Sequence, residues 1–500
     1  MKPLFLFVRP PRPLWPFNGP ATAFWPPLAF ASLAAMLREQ CPGWRVEILD
    51  APVLEMGWRS LAAEIQRRAP AVVALGEEAV SCQECLRLAA LARGVRAKVV
   101  AGGCFFGHVA PHVLRTGLVD VVAHGEGEHT IVELAHALRE DGPAALRTVA
   151  GISFLHEGEV VRTPARAMIR NLDDLPLPAW DLLPMAHYGA GSRNHPALGA
   201  IEASRGCVDG CDFCVLWRQM GKFVAGQPRP WLRVKSVERL RAEVRLQVRT
   251  FGRHHLGWVD PCFNAHPEIP GQLGEALARE GLQVGQSAWV RADGIVRDAR
   301  SGALAAMVRG GLNEVYIGVE RPDDAGLEAV GKHTTLPVVR EAFRILAREQ
   351  PEVFTLGTFI YGLPGDTPAT MWALLQLSHE LELNQAFFIP LTPLPGTPFW
   401  RDELWDATGK IFRDFNFLPS ATRPGARPEL ERALVLASAF GWTPARLRSY
   451  WRGLSSRDAR KRRMSARLAA RAIGFVMGSL LRGLLTGQPV GMKIPRWYET

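Results

Sequence analysis

Cysteine is scarce in this chain, eight in 500 residues. A protein of that length builds its cores by apolar burial, so a small disulfide-stapled scaffold is excluded. Long apolar runs are lacking as well. The opening "MKPLFLFVRPPRP" breaks at prolines after one strand's length, the pattern of a buried first strand rather than a secretory leader. Near the other end, "AIGFVMGSLLRGLL" (472–485) is too short to cross a bilayer and is interrupted by Arg482. Neither export nor a spanning helix is expected, and a cytoplasmic chain keeps its thiols reduced for metal binding or catalysis.

Acidic residues are the minority, 49 against 59 Lys and Arg, for a formal charge of +10. Much of the excess falls between Arg446 and Arg471, where ten basic residues stand against one acid, Asp458. Aromatics are too sparse there to stack bases, so no nucleic-acid partner is expected. A solvated face is the plain reading. Peripheral contact with an anionic membrane surface or an acidic partner, through a basic amphipathic helix, is the sharper one.

What is present is alternation. In residues 1–140, apolar runs at 4–8, 45–49, 71–75, 98–103 and 119–125 are separated by amphipathic stretches such as "SLAAEIQRRA" and "CLRLAALARGV". That rhythm predicts an α/β, doubly wound, Rossmann-like domain with a parallel sheet covered on both faces. Ligands of such sheets sit at the strands' carboxyl ends. The candidate loops are 12–28, 76–83 and 102–108, with Gly76, Glu77, Ser81, Gly102, Gly103, Cys104, Gly125 and Glu126 as candidate contacts. Residues 141–195 read as a connector, with a hairpin at "GISFLHEGEVVRT" and a proline-punctuated link at "NLDDLPLPAWDLLP". From 196 to 400 six further strands are expected, at 198–204, 254–260, 284–291, 314–320, 354–362 and 386–393, the first five each followed by a helical stretch. This is a partial (β/α)6 barrel, and Cys207, Asp260, Arg291, Glu320, "GLPGDT" and "PLPGTP" collect at the strand ends where such a barrel builds its site. Residues 401–500 read as a helical, basic region.

Three of the eight cysteines crowd into "SRGCVDGCDFC": Cys207, Cys211 and Cys214, with no fourth nearby. A zinc ion on three thiolates with one open position is one solution. A four-iron cluster suits the arrangement better, since three cysteinates leave one iron free for a substrate or cofactor. Elsewhere Cys82 and Cys85 form C-x-x-C without a second pair, for which plain packing or a place beside the first domain's ligand is the better reading than a redox or zinc role. Cys262, just past Asp260, is a candidate catalytic thiol at the barrel mouth.

The C-x-x-x-C-x-x-C motif at the end of a first barrel strand, with Ser-Arg-Gly before it and Phe213 before the last cysteine, resembles the radical S-adenosylmethionine enzymes. "VYIGVERPDDAGLEAVGKHTT", "YGLPGDT" and "PLPGTPFW" resemble that family's later strand segments. The resemblance implies a [4Fe-4S] cluster on Cys207, Cys211 and Cys214, with S-adenosylmethionine on its free iron. It implies that Glu320 and Arg291 meet the cofactor's polar groups, and that Phe213, Gly362 and Pro364 shape the adenine site. A structural ion pair is the alternative for Glu320 and Arg291. The N-terminal domain followed by "PLPAWDLL" and the barrel is similar to the subgroup with a cobalamin-binding domain. A D-x-H-x-x-G motif is missing, since "DAPVLEMG" (50–57) has no histidine, so a histidine beneath the cobalt is not implied.

That likeness implies a C-methyltransferase acting on an unactivated carbon through a 5'-deoxyadenosyl radical and methylcobalamin. It implies a small-molecule or carrier-bound substrate, and an electron donor such as flavodoxin or ferredoxin. A cobalamin-containing radical cyclase is the alternative within the subgroup. A non-catalytic cluster or cobalamin sensor is the alternative outside it.

Overall fold

In the computed structural model the described residues are 2–12, 25–76, 81–140, 143–190, 192, 195–224, 227–282, 284–405, 448, 451–459, 461–466, 470 and 497–500. Glu77, most of the loop 12–28, most of the basic run and the apolar stretch 472–485 lie outside them.

The first sheet contains β1 (Leu4–Arg9), β2 (Arg45–Asp50), β3 (Val72–Leu75), β4 (Lys98–Ala101), β5 (Val121–Ala123), β6 (Ile152–His156) and β7 (Glu159–Arg162), in the order 2-1-3-4-5-6-7. The first five are parallel, as their unbroken apolar runs require of strands buried on both faces. The hairpin β6–β7 joins antiparallel at the edge, so the connector extends the first sheet rather than standing apart from it. One face packs on helices Leu28–Gln40 and Glu128–Ala137 and on the connector's Trp180 and Tyr188, both fully buried. The other face packs on helices Trp58–Arg68 and Cys82–Gly94, and Tyr498 from the chain's far end joins that core. Cys82 and Cys85 are buried in it, so they serve packing.

The second sheet is six parallel strands: β8 (Leu198–Ile201), then, past the small antiparallel strands β9 (Ser204–Cys207), β10 (Lys222–Val224), β11 (Gln227–Arg229) and β12 (Trp231–Val234), the strands β13 (His255–Trp258), β14 (Gly285–Val290), β15 (Leu312–Glu320), β16 (Phe354–Tyr361) and β17 (Gln385–Pro390). Its order, 8-13-14-15-16-17, is that of a partial barrel. Leu256, Trp258, Val315, Ile317 and Val319 point at the surrounding helices, and the alternate residues face inward. The expected first strand ends earlier than predicted. Ser204 to Cys207 leave it to pair with β12, and the close crossing explains Gly206: its φ is +92°, and a Cβ there would lie 1.8 Å from the Trp231 carbonyl oxygen.

Candidate active site

In an open sheet of order 2-1-3-4-5 the ligand crevice lies where β1 and β3 part. The structure has a cavity of about 500 Å³ there. Phe7, Arg9, Gly76, Gly102, Gly103, Cys104, Gly125 and Glu126 line it from the first domain, and Glu202, Arg205, Met220 and Val259 wall it from the barrel side. Gly76 has φ +111°, and a Cβ on it would sit 2.4 Å from the Gly102 carbonyl, so only glycine lets these two loops meet under a ligand. The lining is mostly apolar side chain and bare backbone, which suits the broad face of a corrin. No histidine lines it among the described residues. Ser81 does not line it; buried at the start of its helix, its hydroxyl lies 3.9 Å from Cys85 Sγ.

Glu126 does line the cavity, yet its carboxylate is held by ion pairs with the barrel. Arg233 donates at 2.8 Å and Arg205 at 3.1 Å, while Arg205 also reaches Glu128 at 2.5 Å and Glu202 at 2.8 Å. All of these side chains are buried or nearly so. Sequence reasoning missed this cross-domain cluster because its partners are about eighty to a hundred residues apart.

The cysteine loop leaves β9 and lies over the barrel mouth. Asp212 N–H donates to the Val330 carbonyl at 2.9 Å, and Trp217 Nε1 donates to the Cys211 carbonyl at 2.8 Å. Cys207, Cys211 and Cys214 are free thiols. Three cysteinates on one short loop suit a four-iron cluster, which leaves one iron open. Burial pushes the Cys211 and Cys214 thiols up, while Lys332 and, at Cys214, the N–H groups of Leu216 and Trp217 favour the thiolate a metal needs. Cys104 sits in the cavity wall between the two domains. Desolvation pushes its thiol up to about 12, and the nearness of Cys214 adds to the shift.

Around the loop stand the other strand ends. Arg291 pairs with Asp209 and with Asp293 at 2.9 Å, not with Glu320. Glu320 is buried with φ +66°, a left-handed conformation uncommon for a side chain this size and often found where a site holds its residues. Its Oε1 lies 3.5 Å from Lys332 Nζ and 3.5 Å from Thr358 Oγ1. The partner is thus a lysine, not an arginine. Burial pushes the Glu320 carboxyl up and Lys332 pulls it back. Gly318 makes room for the pair, since a Cβ there would lie 2.2 Å from Glu320 Oε1. Lys332 and Asp209 were legible only as neighbours in "GKHTT" and "CVDGC"; no local pattern marks their partners.

After β16, Asp366 accepts N–H from Gly362 at 2.7 Å and Leu363 at 3.0 Å and pairs with Arg321, which fixes the "GLPGD" turn. Pro364 is exposed at its tip and Phe213 is half-buried. Asp260 is fully buried, accepting from Ser204 Oγ at 2.6 Å and from Ala203 N–H at 3.0 Å; desolvation pushes its carboxyl up to about 7. Cys262 is buried, its Sγ 3.4 Å from Asn264 Oδ1, and burial pushes its thiol up.

Comparison with known proteins agrees with this arrangement. A family model described as B12 binding domain matches residues 16–135, and one described as Radical SAM superfamily matches 201–378. An uncharacterized methyltransferase of Pyrococcus horikoshii is 29% identical over 385 residues, 75% of this chain and 78% of that protein. The anaerobic magnesium-protoporphyrin IX monomethyl ester cyclase of Cereibacter sphaeroides is 26% identical across 80% of this chain and 64% of its own length. The structure of the radical S-adenosylmethionine methyltransferase TsrM from Kitasatospora setae, with cobalamin and [4Fe-4S] cluster bound, superposes with a TM-score of 0.63 over 95% of this chain and all of that one, at 16% identity, which shows a shared fold. The chain thus carries a B12 binding domain at residues 16–135 followed by a radical SAM domain at residues 201–378, the pairing found in cobalamin-dependent radical S-adenosylmethionine enzymes.

Proposed function

We propose that the chain is a cobalamin-dependent radical S-adenosylmethionine C-methyltransferase acting on an unactivated carbon. One observation carries the reading: the cavity at the β1/β3 switch point is walled on its other side by the barrel, and Cys104 in its lining lies near Cys214 of the cysteine loop. In this reading residues 1–140 bind cobalamin, 141–195 connect, 196–400 form the catalytic barrel and 401–500 a helical basic region.

Cys207, Cys211 and Cys214 would hold the [4Fe-4S] cluster. Arg291, Glu320, Gly362, Pro364 and the backbone around Phe213 would hold S-adenosylmethionine. Gly76, Gly102, Gly103, Cys104, Gly125 and the cavity side of Glu126 would face the corrin. When bound, the cluster supplies single electrons and cobalamin carries a methyl group. The chain's own part is to position and enclose. Glu320, neutralised by Lys332, offers a carboxylate to the cofactor's hydroxyl or amino hydrogens. Asp366 would pin the loop beside the base, and the interdomain ion pairs would hold the barrel wall of the cavity against the first domain. A flavodoxin or ferredoxin would deliver the electrons, in the cytoplasm, and the basic region would meet an anionic membrane surface. Among the described residues no helix is long and apolar enough to cross a membrane.

The test is product analysis with anaerobically reconstituted enzyme. A methyltransferase yields both S-adenosylhomocysteine and 5'-deoxyadenosine from S-adenosylmethionine, and a product heavier by one methylene unit. The similarity to the cyclase favours a second reading, oxidative ring formation. That reading gives 5'-deoxyadenosine alone and a product that has lost hydrogen.

A further inference from the structure

At the opposite end of the barrel from the cysteines, His255 opens β13, Glu314 stands near the start of β15, and His195 comes from the end of the connector. One ring nitrogen of each histidine and one carboxylate oxygen of Glu314 all lie within 4.8 Å of one another. Among the described residues this is the one group of three such side chains so gathered. Glu314 and Glu320 at the mouth are six positions apart along β15, roughly 20 Å of strand, so the group is distinct from the cofactor sites.

The fold aims these groups deliberately. Leu256 and Trp258 face the helices, which turns His255 into the barrel lumen. The pairing of β14 with β15 shifts register between Gln286 and Ser287, leaving Asn313 as an extra residue in β15. Leu312 and Val315 both pack toward the helices, and the extra residue between them is what sends Glu314 inward. Gly285 leaves space beside His255, since a Cβ there would lie 2.9 Å from the ring's Nδ1.

The surrounding hydrogen bonds are those that orient metal ligands. Tyr316 Oη donates to Glu314 Oε1 at 3.0 Å, leaving Oε2 toward His195 Nε2 at 2.9 Å. Ser287 Oγ lies 3.1 Å from His255 Nε2 and fixes that ring. Outer partners of this kind set tautomer and carboxylate orientation at metal centres. Two imidazoles and one carboxylate are a zinc-type donor set, and ligand atoms on a tetrahedral ion stand roughly 3.3 Å apart, a modest contraction from the present spread. His195 Nε2 and Glu314 Oε2, hydrogen-bonded at 2.9 Å, would part slightly to take the ion between them. His255 and Glu314 are buried, while His195 is 28% exposed on its side chain, which leaves a path for the ion and a position for water.

We propose that His195, His255 and Glu314 form a binding site for a divalent cation of the zinc class at the floor of the barrel, tying the connector to the barrel strands. The ion is structural and does not depend on the activity proposed above.

The experiment measures zinc and iron together by elemental analysis on cluster- and cobalamin-loaded protein, incubated with zinc and passed through a desalting column. About one zinc per chain is expected in the wild type, falling at least fivefold in His255→Ala and in Glu314→Gln with iron and cobalamin unchanged. His195→Asn, altered at the half-exposed ligand, guards against misfolding of the buried variants and should also lose zinc. The triple Cys207→Ala, Cys211→Ala, Cys214→Ala protein should keep it. Zinc should raise the melting temperature of the wild type but not of His195→Asn. Equal zinc in the wild type and in His195→Asn, or zinc that disappears with the three cysteines, would overturn the proposal.

Discussion

Glu320 Oε1 lies 3.5 Å from Lys332 Nζ, and Gly318 makes the space in which they meet. The pair is buried at the end of β15, beside the cysteine loop, with Glu320 held at φ +66°. A buried carboxylate stays charged only with such a partner. Lys332→Met should therefore leave Glu320 protonated and weaken S-adenosylmethionine binding about tenfold, the equivalent of one lost charged hydrogen bond. Glu320→Gln should do the same. Anaerobic titration of the cofactor checks both, and an unchanged dissociation constant in both variants would remove Glu320 from the site.

Replacing Cys207, Cys211 or Cys214 by alanine should each reduce iron to background and abolish 5'-deoxyadenosine formation. Each cysteine would supply one of the cluster's three thiolates, and no fourth cysteine stands in the loop to substitute. Cobalamin content should stay at the wild-type level, because the cavity's floor and its glycines belong to the first domain. Iron, acid-labile sulfide and corrinoid absorbance on the same sample give the answer.

The cysteines, the strand ends and the two parallel sheets were legible because each depends on local signals: short spacing, apolar runs and the glycines that end them. The pairings were not. Nothing near Glu126 in sequence announces Arg205 or Arg233, and the cluster forms only when the two domains close on one another. Reading Glu126 simply as a cobalamin contact followed from its place in a strand-end loop. The structure shows that this loop is also the domain interface. The Asn313 bulge escaped notice for a similar reason, since an extra residue shows only when the neighbouring strand is in register.

Arg205→Ala should destabilise the folded chain by about 3 to 5 kcal/mol, since it leaves Glu126, Glu128 and Glu202 sharing a buried space without one of their cations. Arg205→Lys should recover part of this, because an ammonium supplies charge but not the fork that reaches three carboxylates. Thermal unfolding measures the loss. Corrinoid retention after gel filtration should fall with it, as the barrel wall of the cavity is no longer pinned to the first domain.

His124 gives the first domain a pH dependence. Its Nε2 lies 2.8 Å from Ser153 Oγ, and burial, reinforced by Arg162, pushes the imidazole down to about 4. An unfolded histidine titrates near 6.5, so between those values the unfolded chain binds the extra proton. Stability is fully present above about pH 6.5 and is lost as the pH falls through 4, a total of about 3 kcal/mol, with about 2 kcal/mol gone by pH 5. His124→Gln keeps a hydrogen bond to Ser153 and has no proton to gain. Urea unfolding of the two proteins at pH 7 and pH 5 should therefore show the wild type losing about 2 kcal/mol more than the variant, in which buried His108 still titrates below its ordinary range. If both lose equally, the titrating group lies elsewhere and His124 is solvated as an ordinary surface histidine would be.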